Sequence, residues 1–342
     1  MFQTMPPNIS AKPARRCALA LLILAASVTG SAQAVERSQF PQLGDFIQYM
    51  VMKHDMRASE LSALFSRVEI KPDIITAMET QKEALPWYEY RKLFVTDESV
   101  RLGLKYWKAN EATLTRAADD FGVDPAIIVA IIGVETRYGR SVGGYRVMDA
   151  LTTLALKSAN RAEFFRSELE QFLLLTEEMG VDPLSIKGSY AGAMGVPQFM
   201  PSSYRRYAVD YDGDRKRNLL SSNADAIGSV ANYFKQHGWL KSEAVTDEVE
   251  LEGSLYSWLE STGNEPTLSV SQMKKYGVIP IEGIDLKQLA MLITLEGENG
   301  PMHRLGYNNF YVITRYNRSK RYAMAVYELS RLLHQQYYET SQ

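Results

Sequence analysis

Apolar positions recur with the spacing of a helix along most of the chain. Stripes at i, i+3 and i+4 place apolar side chains on one helical face, and such stripes begin at Leu61, Leu114, Leu169 and Ile227. A closing stripe begins at Tyr322. Helices therefore account for most of the predicted elements.

A second pattern interrupts the helices between residues 241 and 305. Val249 and Leu251 alternate with glutamates, and an apolar run from Leu289 to Leu295 ends before Gly297. Alternation and short apolar runs next to turn residues indicate strands. We therefore predict a mainly α (α+β) fold with a small β-rich region.

One predicted helix is apolar at most of its positions yet carries an acid. Asp124 can cap its start, Pro125 suits its first turn and Gly139 can end it. Glu135 follows Ile131 by four residues and therefore lies on the same apolar face. A carboxyl on such a stripe is a candidate for chemistry.

Two effects act on this carboxyl. Burial disfavours the charged form, and so does the negative C-terminal end of the helix dipole. We expect both to raise the pKa of Glu135, which suits a proton donor near neutral pH. The alternative is a glutamate that reaches solvent or pairs with Arg137 or Arg140, and this helix alone favours neither.

Two other segments carry side chains suited to a ligand. In Trp87–Arg91 charged residues stand between aromatic rings, which suits ordinary packing or a platform for sugar rings. Residues 187–203 are rich in glycine, proline and small residues, so we expect an irregular loop whose backbone can approach a ligand closely. Ser189 and Gln198 are polar side chains of this loop that can reach a substrate.

An acidic segment follows this loop. Asp210, Asp212 and Asp214 alternate along the chain, and Asp225 stands at the start of a predicted helix. Oxygen ligands at alternate positions of a curled loop can converge on a calcium ion. Arg215 stands where a calcium loop has glycine, and Asp225 is the sixteenth residue of the loop instead of the twelfth. From these residues alone, an acidic surface turn is the simpler interpretation.

The first 34 residues have the organisation of a secretory leader. Lys12, Arg15 and Arg16 precede an apolar run from Ala18 to Val28, and small residues then end in Ala32–Ala34. Basic, apolar and A-x-A segments in this order are typical of a cleaved signal peptide. We expect a mature chain that begins near residue 35 and is exported.

Charge and cysteine content narrow the function further. Removal of the leader takes away three basic residues and no acidic ones, so the formal charge falls from −2 to −5. Such a charge gives no indication of nucleic acid binding. Cys17, the single cysteine, precedes the apolar run, whereas a lipidated cysteine follows it. We therefore predict no membrane anchor, and neither disulfides nor thiol chemistry in the mature chain.

Taken together, these motifs resemble the lytic murein transglycosylase B family, glycoside hydrolase family 103. The resemblance covers nearly all of the predicted mature chain, in the same order. Its motifs are Val134–Gly139, Gly188–Gly195, Gln198–Ser203, Asp225–Phe234 and Phe310–Asn317.

The resemblance implies a lysozyme-like helical core with an extra helical domain and a small β-rich domain. We divide the chain accordingly. The segments are a leader (1–34), a helical domain (35–115), a catalytic core (116–240, with the acidic loop at 210–225), a β-rich domain (241–305) and a C-terminal return to the core (306–342).

The resemblance also implies which residues carry the function. The single catalytic acid falls on Glu135. The positions that line the glycan groove fall on Tyr90, Arg161, Ser189, Gln198, Phe199, Tyr233, Tyr316, Asn317 and Tyr322. A structural Ca²⁺ ion falls on the carboxylates of Asp210, Asp212, Asp214 and Asp225 and on the backbone of Lys216.

The implied reaction cleaves the bond between N-acetylmuramic acid and N-acetylglucosamine in peptidoglycan and leaves a 1,6-anhydro ring. In this mechanism Glu135 donates a proton to the bridging oxygen and then removes one from the 6-hydroxyl of the same sugar. Ser189 orients the acetamido group, and Gln198 bonds Glu135 or the sugar. The alternative hypotheses are a muramidase with Asp149 or Glu163 as a second carboxylate, a non-catalytic wall-binding protein and a calcium sensor.

The resemblance places the protein in the periplasm, with peptidoglycan glycan strands as its partner. Contacts with cell-wall synthesis enzymes are compatible with this location. We expect a monomer.

Overall fold

The computed structural model describes residues 33–34, 40–79 and 85–339. Apart from Gln33–Ala34, the predicted leader, including Cys17, lies outside the described residues. Within the described part, no helix is both long enough and apolar enough to cross a membrane.

Helices dominate the structure, as predicted. In chain order they are α1 (Pro41–His54), α2 (Ala58–Phe65), α3 (Pro72–Glu79), α4 (Trp87–Arg91), α5 (Asp97–Ala109), α6 (Glu111–Phe121), α7 (Pro125–Thr136), α8 (Val147–Lys157), α9 (Ala162–Met179), α10 (Pro201–Tyr207), α11 (Asn223–Gln236), α12 (Ser257–Glu260), α13 (Val270–Lys274), α14 (Asn308–Tyr316) and α15 (Lys320–Glu339).

The strands form two short pairs and one larger sheet. They are β1 (Gln33–Ala34), β2 (Glu69–Ile70), β3 (Tyr145–Arg146), β4 (Lys187–Gly188), β5 (Thr246–Leu251), β6 (Leu268–Ser269), β7 (Val278–Pro280), β8 (Leu289–Gly297) and β9 (Gly300–Gly306). β1 pairs with β2 and β3 with β4, while the other strands form a five-stranded antiparallel sheet of order β6-β8-β9-β5-β7. The predicted mainly α (α+β) class is confirmed.

α7 is the central helix of the main hydrophobic core. Every residue from Ile128 to Ile132 is fully buried, and the helix packs against α5, α6, α11 and α15. A helix that is apolar on all sides needs such neighbours. Each buried isoleucine contributes about 1.5–3 kcal/mol, so this core holds the residues that end α7 firmly in place.

The main core draws on helices from both sides of residue 115, for example Phe46 of α1 and Ile131 of α7. The β-rich region has a small core of its own that includes Val278 and Leu305. β8 joins the two, because Ile293 packs in the main core and Leu292 in the small one. Burial on both faces explains why its sequence is a continuous apolar run.

The beginning of α7 follows the prediction, but its end does not. The Asp124 side chain accepts a hydrogen bond from the Ala126 N–H at 2.7 Å, and Pro125 is the first helical residue. The helix ends at Thr136 instead of Gly139, and Arg137 (φ 50°) and Tyr138 (φ 63°) adopt left-handed conformations. Local patterning does not reveal this end, because Tyr138 directly after it contacts α5, which is distant in the chain.

The segment 187–203 is largely irregular, as expected. Only its ends are regular, with β4 at its start and α10 from Pro201. Between them, isolated bridges join Gly188 to Met194 and Met194 to Phe199, so the loop folds back on itself.

Candidate active site

Glu135 lies in the last turn of α7 and faces the first turn of α15. Its Oε1 atom accepts a hydrogen bond from the Tyr322 hydroxyl at 2.5 Å, between residues 187 positions apart in the chain. The Glu135 side chain is partly accessible, whereas Tyr322 is buried. The acid is therefore partly accessible and is held from one side by the Tyr322 hydroxyl.

Burial raises the pKa of Glu135 from 4.5 to about 7. The Tyr322 hydrogen bond opposes this rise, because it favours the carboxylate. The predicted direction is thus confirmed with desolvation as its cause, while the helix dipole stays a predicted contribution. Arg137 and Arg140 are exposed, and in the described chain neither forms an ion pair with Glu135.

Three aromatic rings pack together beside the acid. The centroid of Phe199 lies 5.6 Å from that of Tyr233 and 5.8 Å from that of Tyr316, and the two tyrosine rings are 4.9 Å apart. The Tyr316 hydroxyl donates to the Pro197 carbonyl at 2.5 Å. After burial, the charge of Glu135 is the next cause that raises the pKa of Tyr316, so this phenol lies near the carboxylate.

A cleft of about 960 Å³ adjoins this group through Tyr316, which is one of its lining residues. Among the predicted groove residues, Arg161, Tyr316 and Asn317 line it. The Arg161 guanidinium lies over the Phe164 ring at 4.8 Å. Phe199, at 2% exposure, lies behind this surface instead of on it.

The same cleft is basic, which the sequence reasoning missed. Arg315, Arg318, Lys320 and Arg321 also line it, and its acid Glu296 pairs with Arg321 at 2.8 Å. The available signal was the density of basic residues between positions 315 and 321. Their concentration at one cleft depends on the turn between α14 and α15, which local patterning does not reveal.

Ser189 and Gln198 mainly organise their own loop. The Ser189 Oγ atom accepts hydrogen bonds from the backbone N–H groups of Ala191 and Ala193 at 3.2 and 3.0 Å. The Gln198 Nε2 atom donates to the carbonyls of Val142 and Gly195 at 3.1 and 2.9 Å. The amide nitrogen of Gln198 is therefore directed to backbone carbonyls and not to Glu135.

The aromatic cluster at Trp87 and Tyr90 is packed inside the protein. The two side chains are 3% and 5% exposed, and the Tyr90 ring lies 5.1 Å from Phe94. Tyr90 also contributes to the raised pKa of Tyr322, so it lies near that tyrosine. The structure therefore matches the interpretation of this cluster as ordinary packing.

The two candidates for a second carboxylate have other contacts. Asp149 is buried and accepts hydrogen bonds from the Glu69 backbone N–H at 3.0 Å and from Arg146 Nε at 2.7 Å. Glu163 lines a separate cavity that includes Lys53. No other carboxylate of the described chain shifts the pKa of Glu135.

The acidic loop brings three of its predicted ligands together. One carboxylate oxygen each from Asp210, Asp212 and Asp214 lies within 4.8 Å of the others. The two oxygens of Asp210 accept hydrogen bonds from the backbone N–H groups of Gly213 at 2.8 Å and Arg215 at 2.7 Å. These bonds curl the loop, and Arg215 adopts a left-handed conformation with φ 72°. The donor set is one that a hard cation such as Ca²⁺ prefers.

Asp225 plays a different part in this loop. It is fully buried in the first turn of α11, and its oxygens accept hydrogen bonds from the backbone N–H groups of Tyr211 at 2.7 Å, Asp212 at 3.3 Å and Asn218 at 2.7 Å. It therefore secures both ends of the loop from inside, and it lies outside the group of three aspartates.

Comparisons with known proteins agree with this geometry. A transglycosylase SLT domain matches residues 39–331. The chain is 42% identical to "Membrane-bound lytic murein transglycosylase B" of Escherichia coli K12 over 84% of this chain and 81% of that protein.

Solved structures give the same result. The soluble lytic transglycosylase SltB1 of Pseudomonas aeruginosa is 44% identical with a TM-score of 0.82, over 86% of this chain and 99% of that one. Escherichia coli lytic transglycosylase Slt35 in complex with calcium is 41% identical with a TM-score of 0.80, over 89% and 96%. The chain therefore belongs to the lytic murein transglycosylase B family and is an enzyme that acts on peptidoglycan.

Proposed function

We propose that Glu135 is the single acid–base catalyst and that the reaction leaves 1,6-anhydromuramic ends without the use of water. The observation that carries this proposal is one partly accessible carboxyl with a pKa of about 7, held by the Tyr322 hydroxyl, whose pKa no other carboxylate of the described chain shifts. At neutral pH a substantial fraction of this carboxyl is protonated and able to donate.

The proton cycle follows from this state. Glu135 gives its proton to the oxygen between N-acetylmuramic acid and N-acetylglucosamine as the C1–O bond breaks. The acetamido carbonyl of the muramic residue supports the positive charge at C1. The Glu135 carboxylate then removes the proton of the 6-hydroxyl, whose oxygen attacks C1 and closes the anhydro ring. Glu135 ends protonated again.

A second carboxylate is unnecessary in this cycle, because the nucleophile belongs to the substrate. Most glycosidases separate two carboxylates to place a nucleophile or an attacking water. Here the protein must instead hold the sugar so that its own hydroxyl reaches C1, and such intramolecular attack gains greatly from fixed geometry.

We assign the remaining groove residues to that holding task. The Ser189 Oγ atom already accepts two backbone hydrogen bonds, so its hydroxyl can still donate one to the acetamido carbonyl. Gln198 keeps its carbonyl oxygen for a sugar hydroxyl or amide. Tyr316, Asn317 and Arg161 supply the accessible wall.

The deeper groove residues support this wall. Phe199, Tyr233, Tyr322 and Tyr90 are each at most 7% exposed. We propose that they set the positions of Tyr316 and Glu135 and contact sugar only at their edges.

Mass spectrometry of fragments released from purified peptidoglycan tests the reaction. Fragments with 1,6-anhydromuramic ends, one water lighter than hydrolysed ones, are expected, and Glu135→Gln should abolish their release while glycan binding persists. Reducing ends would instead indicate a muramidase. Retained turnover by Glu135→Gln would contradict the assignment of the acid.

We further propose that the acidic loop holds a structural Ca²⁺ ion. The convergent carboxylates of Asp210, Asp212 and Asp214 and the backbone carbonyl of Lys216 would bind it, while Asp225 keeps the loop closed through its three backbone hydrogen bonds. Such an ion would neutralise the mutual repulsion of the aspartates and would take no part in proton transfer.

Finally, we propose export to the periplasm with removal of residues 1–34. The leader pattern in the sequence supports this, as does the substrate class, since peptidoglycan lies outside the inner membrane. N-terminal sequencing of the protein from a periplasmic extract should begin near Val35.

A further inference from the structure

The chain directly after Glu135 has an unusual backbone. Arg137, Tyr138 and Gly139 have φ values of 50°, 63° and 79°. Only the last is a glycine, and a left-handed conformation costs other residues roughly 1–2 kcal/mol each. Strain of this kind persists where surrounding contacts enforce it, and it concentrates at functional sites.

The left-handed turn carries the Tyr138 ring into a slot between helices. A Cβ atom on Gly133 of α7 would lie 2.6 Å from the ring, and one on Gly103 of α5 would lie 2.5 Å from its hydroxyl oxygen. The Tyr138 hydroxyl donates to the Ser99 carbonyl of α5 at 2.8 Å. Two glycines and one carbonyl thus form a site that fits this phenol.

The neighbouring Thr136 secures the same turn from the other side. Its Oγ1 atom donates to the Val196 carbonyl of the loop 187–203 at 2.8 Å and accepts from the Gly139 N–H at 3.0 Å. Glu135 itself bonds Tyr322 of α15. The end of α7 is therefore attached to α5, to the loop and to α15 within four consecutive residues, 135–138.

We propose that Tyr138 is a positioning residue for the reaction. Its phenol, fixed in the slot made by Gly103, Gly133 and Ser99, determines where the last turn of α7 holds Glu135 against the substrate. It touches neither substrate nor reacting atoms. This inference rests on the proposed role of Glu135 as the proton donor.

The test compares Tyr138→Phe and Gly133→Ala with Tyr49→Phe. Tyr49 is the matched control, because its hydroxyl also joins two helices, through Glu170 at 3.0 Å, but away from α7. Steady-state rates on soluble uncross-linked glycan strands are measured across pH, together with thermal unfolding. Glu135→Gln is included in the series.

We expect kcat to fall roughly tenfold in Tyr138→Phe and about 10²-fold in Gly133→Ala, because small displacements of a catalytic group are costly. KM should change less than about twofold, since glycan contacts remain. The alkaline limb of the kcat profile should move to lower pH, because a loosened helix end admits water to Glu135 and lowers its pKa. Tyr49→Phe should change neither kcat nor the limb.

The possible results distinguish a failure of this inference from a failure of the proposed role of Glu135. If Tyr138→Phe and Gly133→Ala lower the melting temperature while kcat and the pH limb stay at wild-type values, Tyr138 is only structural and the inference is wrong. A fall in kcat with a raised KM and an unchanged alkaline limb of the pH profile would also contradict the inference. Activity in Glu135→Gln would refute the proposed acid instead, whatever the Tyr138 variants do.

Discussion

The end of α7 and the acidic loop 210–225 both contain strained backbone, but different kinds of contact stabilise it in the two regions. Both place residues other than glycine in left-handed conformations, Tyr138 in one and Arg215 in the other. Around Tyr138 the contacts are partly buried and come from α5 and from α7 itself. Around Arg215 they are hydrogen bonds to an aspartate of the exposed turn.

If the proposed calcium site is correct, the difference separates a preorganised site from one whose stability depends on a bound ion. Packing and hydrogen bonds keep Glu135 in place, and its environment raises its pKa. The three loop aspartates repel one another, and their backbone hydrogen bonds offset this only in part. We therefore expect most substitutions at the end of α7 to impair catalysis. The stability of the acidic loop should instead depend mainly on whether Ca²⁺ is bound.

The largest effect should come from shortening the acid. Glu135→Asp keeps a carboxyl but withdraws it by one methylene from Tyr322 and from the substrate, so kcat should fall on the order of 10²-fold. Asp212→Glu is the matched change in the loop and should leave kcat within about twofold. Equal losses in the two variants, measured as release of anhydro fragments, would break the comparison.

Removal of the cation should destabilise the protein without impairing proton transfer. A chelator in excess should lower the melting temperature by several degrees, and added Ca²⁺ should restore it, because an ion that binds only the folded state stabilises it by mass action. The shift should vanish in Asp210→Ala. A melting temperature that ignores both chelator and Ca²⁺ would mean that the loop holds no structural ion.

The hydrogen bond from Tyr322 should set the pH limit of activity. In the proposed mechanism Glu135 acts as an acid, so the rate should fall as pH rises through its pKa of about 7. The Tyr322 hydroxyl lowers this pKa, hence Tyr322→Phe should raise it and move the alkaline limb upward by about 1 unit. Tyr327→Phe, on the same helix, should leave the limb unchanged. A downward shift in Tyr322→Phe would contradict this account.

The smallest effect should come from removing the backbone strain at Arg215 in the acidic loop. Arg215→Gly removes a left-handed penalty and should stabilise the folded loop by about 1 kcal/mol, offset in part by greater freedom of the unfolded chain. Calcium affinity, followed by titration calorimetry, should rise modestly. The opposite change, Gly213→Ala at φ 82°, should weaken it. Weaker binding by Arg215→Gly would show that the arginine side chain contributes more than its backbone costs.

Local chemistry determined several elements of this protein. Asp124 and Pro125 set the start of α7, because capping and proline geometry act within one turn. The position of Glu135 on an apolar stripe follows from helical periodicity alone, and it made a raised pKa one of two open interpretations. The alternation of Asp210, Asp212 and Asp214 allowed convergent oxygens, which the structure contains, although from the residues alone an acidic surface turn was the simpler interpretation.

Family resemblance, rather than periodicity, supplied the groove residues. Nothing in the local sequence brings Tyr322 or Tyr316 to Glu135, since they lie far along the chain in α15 and α14. The structure then divides that set into an accessible wall and buried supports, a division that depends on packing depth.

Only the tertiary structure decided how α7 ends and what faces its acid. A sequence pattern reports interactions over a few residues, so it favoured Gly139 as the stop. The helix ends earlier, where Tyr138 enters a slot that α5 completes, and Tyr322 reaches Glu135 across 187 residues. Asp225 is buried under the loop for the same reason. These placements depend on packing between distant helices, whose combined burial outweighs the local cost of each strained residue.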